Sequence, residues 1–248
     1  MSVSVIETVG LHWCAFRSRF LDFLFPPRCV GCRRVGTWLC AECLGKIPRV
    51  EPPFCSRCGG AVQAKAHGLC VRCRTSPLRI DCTRSVVYFE GVLREAVHQF
   101  KYNGRTVLAE PLGELMAAYL LQHPMPADVL VPVPLHPARL RGRGYNQAAL
   151  LANEIGQQAG LAVDEQTLIR RRATAPQVEL NAEQRRENVR AAFHCLGSRL
   201  VGQRVLLIDD VCTTGATLEA CAIALEEEGG ARSVQAMTLA RAHHRSSN

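Results

Sequence analysis

The sequence contains no long hydrophobic run. None of its apolar stretches approaches the ~18 residues that a membrane-spanning helix needs, so we expect no integral membrane segment. The first residues include Glu7 and lack the basic start and long apolar core of a secretory signal. The expected location is therefore the cytoplasm.

Aromatic residues are also scarce, at 6% of the chain. A surface that binds nucleic acid by stacking bases on aromatic rings would therefore have few rings to use. Hydrophobic residues make up 48% of the 248 positions and charged residues 21%, which is typical of a globular protein that buries a core. This length allows one large domain, or a medium domain with a small one.

The chain has no excess of acidic residues, and its formal net charge is +8. Residues 28–82 contain ten Lys or Arg against three Asp or Glu, whereas residues 83–248 are almost balanced. A basic segment favours contact with the phosphates of nucleic acid. The same segment is rich in cysteine, and zinc-bound thiolates would offset much of its positive charge.

The thirteen cysteines do not resemble a disulfide framework, because eight of them form four C-x-x-C pairs. Two such pairs supply the four thiolates that a closed, structural zinc site prefers. An iron–sulfur cluster would use the same ligands, but the typical spacing is missing. We predict two structural zinc ions with successive pairs on each ion, and an interleaved pairing is the alternative. The predicted ligands are Cys29, Cys32, Cys40, Cys43, Cys55, Cys58, Cys70 and Cys73.

Three stretches follow one another along the chain. Residues 1–27 have aromatic and aliphatic side chains at three- and four-residue steps, which predicts a short amphipathic helix. Residues 28–82 form the cysteine module, which needs metal to fold because it has little core of its own. Residues 83–248 alternate strand and helix patterns, which predicts an α/β domain with a parallel sheet flanked by helices. We predict strands at 86–89, 128–134, 205–208 and 233–240, and helices at 106–122, 147–160 and from 218 to the glycines at 229–230.

The segment 205–217, VLLIDDVCTTGAT, carries the strongest functional pattern. Its four aliphatic residues predict a strand buried on both faces, and Asp209 and Asp210 follow at the strand's carboxyl end, where open α/β sheets bind ligands. The small hydroxyl-rich turn after them can direct backbone N–H groups and hydroxyls at one anion, next to the N-terminus of the following helix. The residues of this turn are Thr213, Thr214, Gly215, Ala216 and Thr217.

This segment resembles the phosphoribosyl pyrophosphate (PRPP) signature of the type I phosphoribosyltransferases. The resemblance implies that the 213–217 turn holds the ribose 5-phosphate of Mg²⁺-bound PRPP. It also implies that Asp209 and Asp210 face the ribose hydroxyls as catalytic residues. Two arginine-rich segments fit the same interpretation. Residues 131–148 contain Arg139 and Arg143, which suit pyrophosphate, and residues 168–189 contain Arg171 where these enzymes have a mobile loop that closes over PRPP.

Several motifs in order resemble the ComF family over residues 20–240. They are the cysteine module after FPPRCVGC, KYNGR at 101–105, VPVPLHPARLRGRGYNQA, the APQ…RREN loop and the PRPP signature. The resemblance implies a double zinc-ribbon module fused to a phosphoribosyltransferase-like domain. It also implies that the chain handles incoming single-stranded DNA during natural transformation, with competence proteins as partners. Two alternatives stay open: an active phosphoribosyltransferase with an unidentified acceptor, and a PRPP-sensing regulator.

Overall fold

The computed structural model describes residues 26–62, 68–171 and 192–242. Predictions that fall on the other residues, namely most of the N-terminal helix and of the loop at 172–189, lie outside these ranges. The chain divides into two compact units, Met1–Lys46 and Ile47–Asn248. The first contains the first two cysteine pairs, and the second contains the other two pairs together with the α/β domain.

The first unit, in its described part, is a small ribbon. The backbone N–H of Cys29 donates to the carbonyl of Arg34 at 2.9 Å, and Arg28 and Val35 form an antiparallel bridge. A one-turn helix, α1 (Ala41–Gly45), begins directly after Cys40. The second unit starts with a ribbon of the same kind, with a bridge between Phe54 and Ala61 and helix α2 (Val71–Thr75) directly after Cys70.

The rest of the second unit is built around a five-stranded parallel sheet in the order β1–β7–β6–β2–β3. A separate antiparallel pair, β4–β5, accompanies it. The strands are β1 (Cys82–Tyr88), β2 (Val129–Pro132), β3 (Ala162–Val163), β4 (Leu168–Arg170), β5 (Phe193–Cys195), β6 (Arg204–Cys212) and β7 (Ser233–Arg241). The helices are α3 (Gly91–Tyr102), a 3₁₀ turn (Thr106–Leu108), α4 (Ala109–Gln122), α5 (Pro137–Arg143), α6 (Gln147–Ala159) and α7 (Ala216–Glu227).

Helices cover both faces of the sheet. Leu207 of β6 belongs to a buried cluster that includes Leu218 and Leu225 of α7. Leu206 and Ile208 are equally buried but lie on the opposite face, because side chains alternate along a strand. On that face α4 and α6 pack against each other and on the sheet. The sheet core therefore excludes water, as the apolar run at 205–208 predicts.

The topology places a crevice between β2 and β6. From β2 the chain continues through α6 to the neighbouring β3, whereas from β6 it continues through α7 to β7 on the other side. In open α/β sheets, the carboxyl ends of two strands whose connections diverge in this way border the ligand-binding crevice. The α/β prediction is confirmed, and the two segments selected from the sequence, 131–148 and 205–217, both meet this crevice. In the described parts of the chain, no helix combines the length and hydropathy needed to cross a bilayer.

Candidate functional site

Asp209 and Asp210 lie inside β6, which continues through Cys212. The sequence predicts that the strand ends before them. Pairing with β7 extends it, because Asp209 lies opposite Thr238 and Cys212 opposite Arg241. As a result Asp210 is only 7% exposed, and such a buried carboxylate requires a partner.

Lys101, at the end of α3, supplies that partner. Its Nζ lies 2.8 Å from Oδ1 of Asp210, and the two side chains are 22% and 10% exposed. In the sequence Lys101 belongs to the KYNGR motif, but no role could be assigned to it there. Its signal lies in the preceding residues, since Leu93, Ala96, Val97 and Phe100 are buried at helical spacing and predict the helix that carries the lysine.

The two acids have different electrostatic surroundings. Burial, followed by repulsion from Asp210, raises the pKa of Asp209 to about 7, although Lys101 and Arg170 act in the opposite direction. The backbone N–H of Asp210 donates to Oδ1 of Asp209 at 2.8 Å. Asp209 is therefore close to its titration point near neutral pH.

The 213–217 segment forms an open loop between β6 and α7. Thr213 and Thr214 are exposed, and Gly215 has φ +79°, a left-handed conformation that favours glycine. Helix α7 begins at Ala216, so the positive end of its dipole borders the loop. The carbonyl of Gly215 accepts from the N–H of Glu219 at 2.9 Å, and the N–H of Ala216 donates to the Thr214 hydroxyl at 3.4 Å.

Arg139 and Arg143 line a cavity of about 460 Å³ together with Lys101, Tyr102, Gly104 and Gly142. Residues 137–143 form the short helix α5, with Pro137 in its first turn and the His136 ring as its N-cap. The Arg143 guanidinium lies 5.4 Å from the centre of the Tyr102 ring and also contacts the Gln147 side chain. Lys101 therefore joins this cationic cavity to the acidic pair.

The arginines at the start of the 168–189 segment are placed differently from one another. Arg170 is half-buried, and its guanidinium lies 5.1 Å from the centre of the Phe193 ring. Burial and the charge of Arg139 lower the pKa of Arg170, whereas Asp209 favours its charged form. Arg171 is exposed, and its backbone N–H donates to Ala192. The charge of Arg170 thus acts on Asp209 and opposes the rise of its pKa.

The eight cysteines form two groups of four. Within each group the sulfur atoms lie within 4.8 Å of one another, and the groups contain successive pairs, Cys29 to Cys43 and Cys55 to Cys73. The successive arrangement predicted from the spacing is confirmed. Although burial opposes ionisation, surrounding backbone N–H groups lower the pKa of Cys29 and of Cys55 to about 6. A group of four cysteine sulfur ligands fits a structural zinc ion.

Two family models match the chain. A double zinc ribbon domain matches residues 20–75, and a phosphoribosyl transferase domain matches residues 144–248. The first match covers both four-cysteine groups. The second covers Asp209, Asp210 and the 213–217 loop, and ends beyond β7.

Curated relatives match over most of their length. The DNA utilization protein YhgH of Salmonella typhi is 34% identical over 227 residues, which cover 87% of this chain and 97% of the relative. Competence protein F of Haemophilus influenzae is 30% identical, covering 88% and 98% of the two chains. Competence protein ComFC of Bacillus subtilis is 29% identical, covering 82% and 84%. The chain therefore belongs to the ComF family, in which a double zinc ribbon precedes a phosphoribosyltransferase-type domain.

Proposed function

We propose that the crevice between β2 and β6 binds PRPP together with Mg²⁺. The observation that supports this most strongly is the 2.8 Å contact between Lys101 and Asp210. This contact connects the acidic pair, which lies next to the 213–217 loop (the phosphate loop), with the cationic cavity. A ligand with a phosphate at one end, hydroxyls in the middle and pyrophosphate at the other matches this order of groups. A related ribose phosphate would occupy only part of this crevice.

Each part of the crevice has a role in this proposal. The 213–217 loop holds the 5-phosphate through backbone N–H groups and hydroxyls. Asp209 and Asp210 accept hydrogen bonds from the ribose hydroxyls. Arg139 and Arg143 face the pyrophosphate, with Arg171 at the edge of the segment that follows β4. Mg²⁺ would offset pyrophosphate charge that these cations leave unpaired.

A PRPP titration with variants of the cavity tests this assignment. Replacing both Arg139 and Arg143 by Ala removes two cations from the cavity. This should lower the affinity for PRPP at least tenfold in calorimetric titration with Mg²⁺. Arg141→Ala is the matched control, because Arg141 lies on the same helix but outside the cavity lining. Equal affinity of the double variant and the control would remove the cavity from the site.

We further propose that the protein acts in the cytoplasm on incoming single-stranded DNA, together with competence proteins. The names of the Haemophilus and Bacillus relatives support this role. One local feature also favours it: Tyr102 is 67% exposed and is surrounded by the cations of the cavity. An exposed ring among cations is the arrangement that stacks bases of a single strand and neutralises its phosphates.

Catalysis is the alternative. In that case an acceptor nucleophile forms a bond to C1 of the ribose while the bond from C1 to pyrophosphate breaks, and the pyrophosphate leaves with the bonding electron pair. The cavity cations would stabilise that leaving group. Release of pyrophosphate when PRPP is mixed with candidate bases or DNA would favour this alternative. Saturable binding of PRPP without release of pyrophosphate would favour a DNA-handling role or a PRPP sensor.

We also propose that each four-cysteine group holds one zinc ion. All four ligand positions of each ion would be occupied by thiolates, so the ions would have a structural role with no open position for a substrate.

A further inference from the structure

The second ribbon contacts the phosphate loop directly. Arg72 lies on α2 between Cys70 and Cys73, two members of one four-cysteine group. Its Nη1 donates to the carbonyl oxygen of Thr214 at 2.6 Å, across 142 positions of sequence. A side chain from the cysteine module therefore holds the backbone of the loop at its centre.

This contact determines the direction of a neighbouring N–H group. The carbonyl of Thr214 and the N–H of Gly215 belong to one planar trans peptide, in which the two groups point in opposite directions. A donor that holds the carbonyl therefore fixes the orientation of the N–H as well. This matters at Gly215, because a glycine has more accessible backbone conformations than any other residue.

The ribbon in turn is attached to two strands of the sheet, to β7 at its last residue and to β1 near its start. Arg241, the last residue of β7, is 7% exposed and donates to the carbonyl of Cys58 at 2.8 Å. Its guanidinium also lies 3.8 Å from the sulfur of Cys212, at the end of β6. The N–H of Thr83 in β1 donates to the carbonyl of Arg57 at 2.6 Å. A buried guanidinium needs acceptors, so Arg241 depends on the ribbon as much as the ribbon depends on it.

The ribbon backbone lies too close to the sheet to shift without breaking these contacts. A Cβ added at Gly59 would lie 2.5 Å from the carbonyl oxygen of Thr83. Gly59 directly follows Cys58, so the position of the four-cysteine group determines the position of this contact. The Cys55–Cys73 group, strands β1 and β7 and the 213–217 loop are thus linked through the described contacts.

We propose that the second ribbon is part of the ribose-phosphate site, with Arg72 as a positioning residue for the 213–217 loop. Closure of the Cys55–Cys73 group on its metal would then set the affinity of the loop for the 5-phosphate. The ligand part of this inference rests on the proposed PRPP function, whereas the coupling of ribbon and loop does not.

Hydrogen–deuterium exchange of the unliganded protein tests the coupling. In Arg72→Ala the amides of residues 213–217 should exchange about tenfold faster than in the wild type, which corresponds to about 1.4 kcal/mol. Arg74→Ala is the matched control, because Arg74 lies on the same helix two residues further on and should leave the loop unchanged. Equal exchange in the two variants would overturn the proposal. The result is independent of PRPP, so it stands even if PRPP does not bind.

Ligand titration separates positioning from a general loss of structure. Arg72→Ala should weaken the binding of ribose 5-phosphate about tenfold and leave the affinity for inorganic pyrophosphate unchanged. Arg72→Lys should recover part of the lost affinity. Equal weakening of both ligands, or of neither, would contradict the assignment. If the wild type binds neither, the PRPP function fails, while the exchange experiment still decides the coupling.

The two four-cysteine groups provide a second comparison. Cys73→Ser removes a ligand of the second group and Cys43→Ser the equivalent ligand of the first. Loop exchange should accelerate in Cys73→Ser and stay as in the wild type in Cys43→Ser. Acceleration of the same size in both variants would show that the ribbons affect only general stability, against the proposal.

Discussion

Replacing Asp209 by Asn should change how the stability of the protein depends on pH. Burial and Asp210 raise the pKa of this carboxyl from its ordinary value of 3.8 to about 7. A carboxyl whose pKa is raised in the folded state stabilises the protein below the unfolded pKa, and this stabilisation is lost as the pH rises through the folded pKa. The wild type should therefore lose stability between pH 5 and pH 8. The amide that replaces the carboxyl does not ionise, so the variant should lose less stability over this pH range.

The size of the effect follows from the two pKa values. For one site with these values, about 3 kcal/mol of unfolding free energy is lost between pH 5 and pH 8. Asp209 is partly exposed, so water screens part of the repulsion, and we expect about 1–2 kcal/mol. For a chain of this size that corresponds to a change of roughly 2–8 °C in Tm.

Thermal unfolding of the wild type and the variant at pH 5 and pH 8 measures this directly. Asp209→Asn should gain stability relative to the wild type at pH 8 by more than at pH 5. Asp128→Asn is the control, because Arg204 holds the pKa of Asp128 at about 2, so its effect should be the same at both pH values. A difference between Asp209→Asn and the wild type that does not change from pH 5 to pH 8 would refute the assigned electrostatics of the acidic pair.

Two further predictions concern metal and DNA. The purified protein should contain about two zinc ions per chain, and Cys29→Ser about one, with lower solubility, since structural zinc contributes on the order of 10 kcal/mol to folding small modules; elemental analysis that finds no zinc would contradict this. Single-stranded oligonucleotides should bind more tightly than duplexes and lose affinity with salt, at a slope of roughly −0.7 per phosphate contacted. Tyr102→Ala should weaken binding of the single strand and leave that salt slope unchanged, while Tyr102→Phe should retain the affinity. An affinity for single strands that does not depend on salt would rule out phosphate neutralisation.

Much of the sheet could be predicted from the sequence because its strands are buried on both faces. The run at 205–208 and the helix at 147–160 have strong apolar patterns. The helix appears close to its expected bounds, whereas the run at 205–208 lies inside a longer strand that continues to Cys212. Strands β3, β4 and β5 have two or three residues each, which is too short for an alternating pattern to be recognised. Helix α3 has a recognisable helical pattern, but it was missing from the predicted elements.

The chemistry of the site was partly hidden because it depends on contacts between distant residues. The motif locates the acids, but it does not show that β6 continues past them or that Lys101 neutralises Asp210. Similarly, Cys-x-x-Cys spacing predicts a metal ribbon, but it does not show that Arg72 reaches Thr214 across 142 positions. Such pairings are set by how the elements pack, which local sequence patterns do not specify.

Calorimetric titration of PRPP into the zinc-loaded protein, with and without Mg²⁺, is the decisive measurement of ligand binding in the crevice. We expect saturable, Mg²⁺-dependent binding that weakens at least tenfold when Asp209 and Asp210 are both replaced by Asn. Binding of equal strength in the wild type and this double variant, or no binding of PRPP to the wild type, would contradict this expectation.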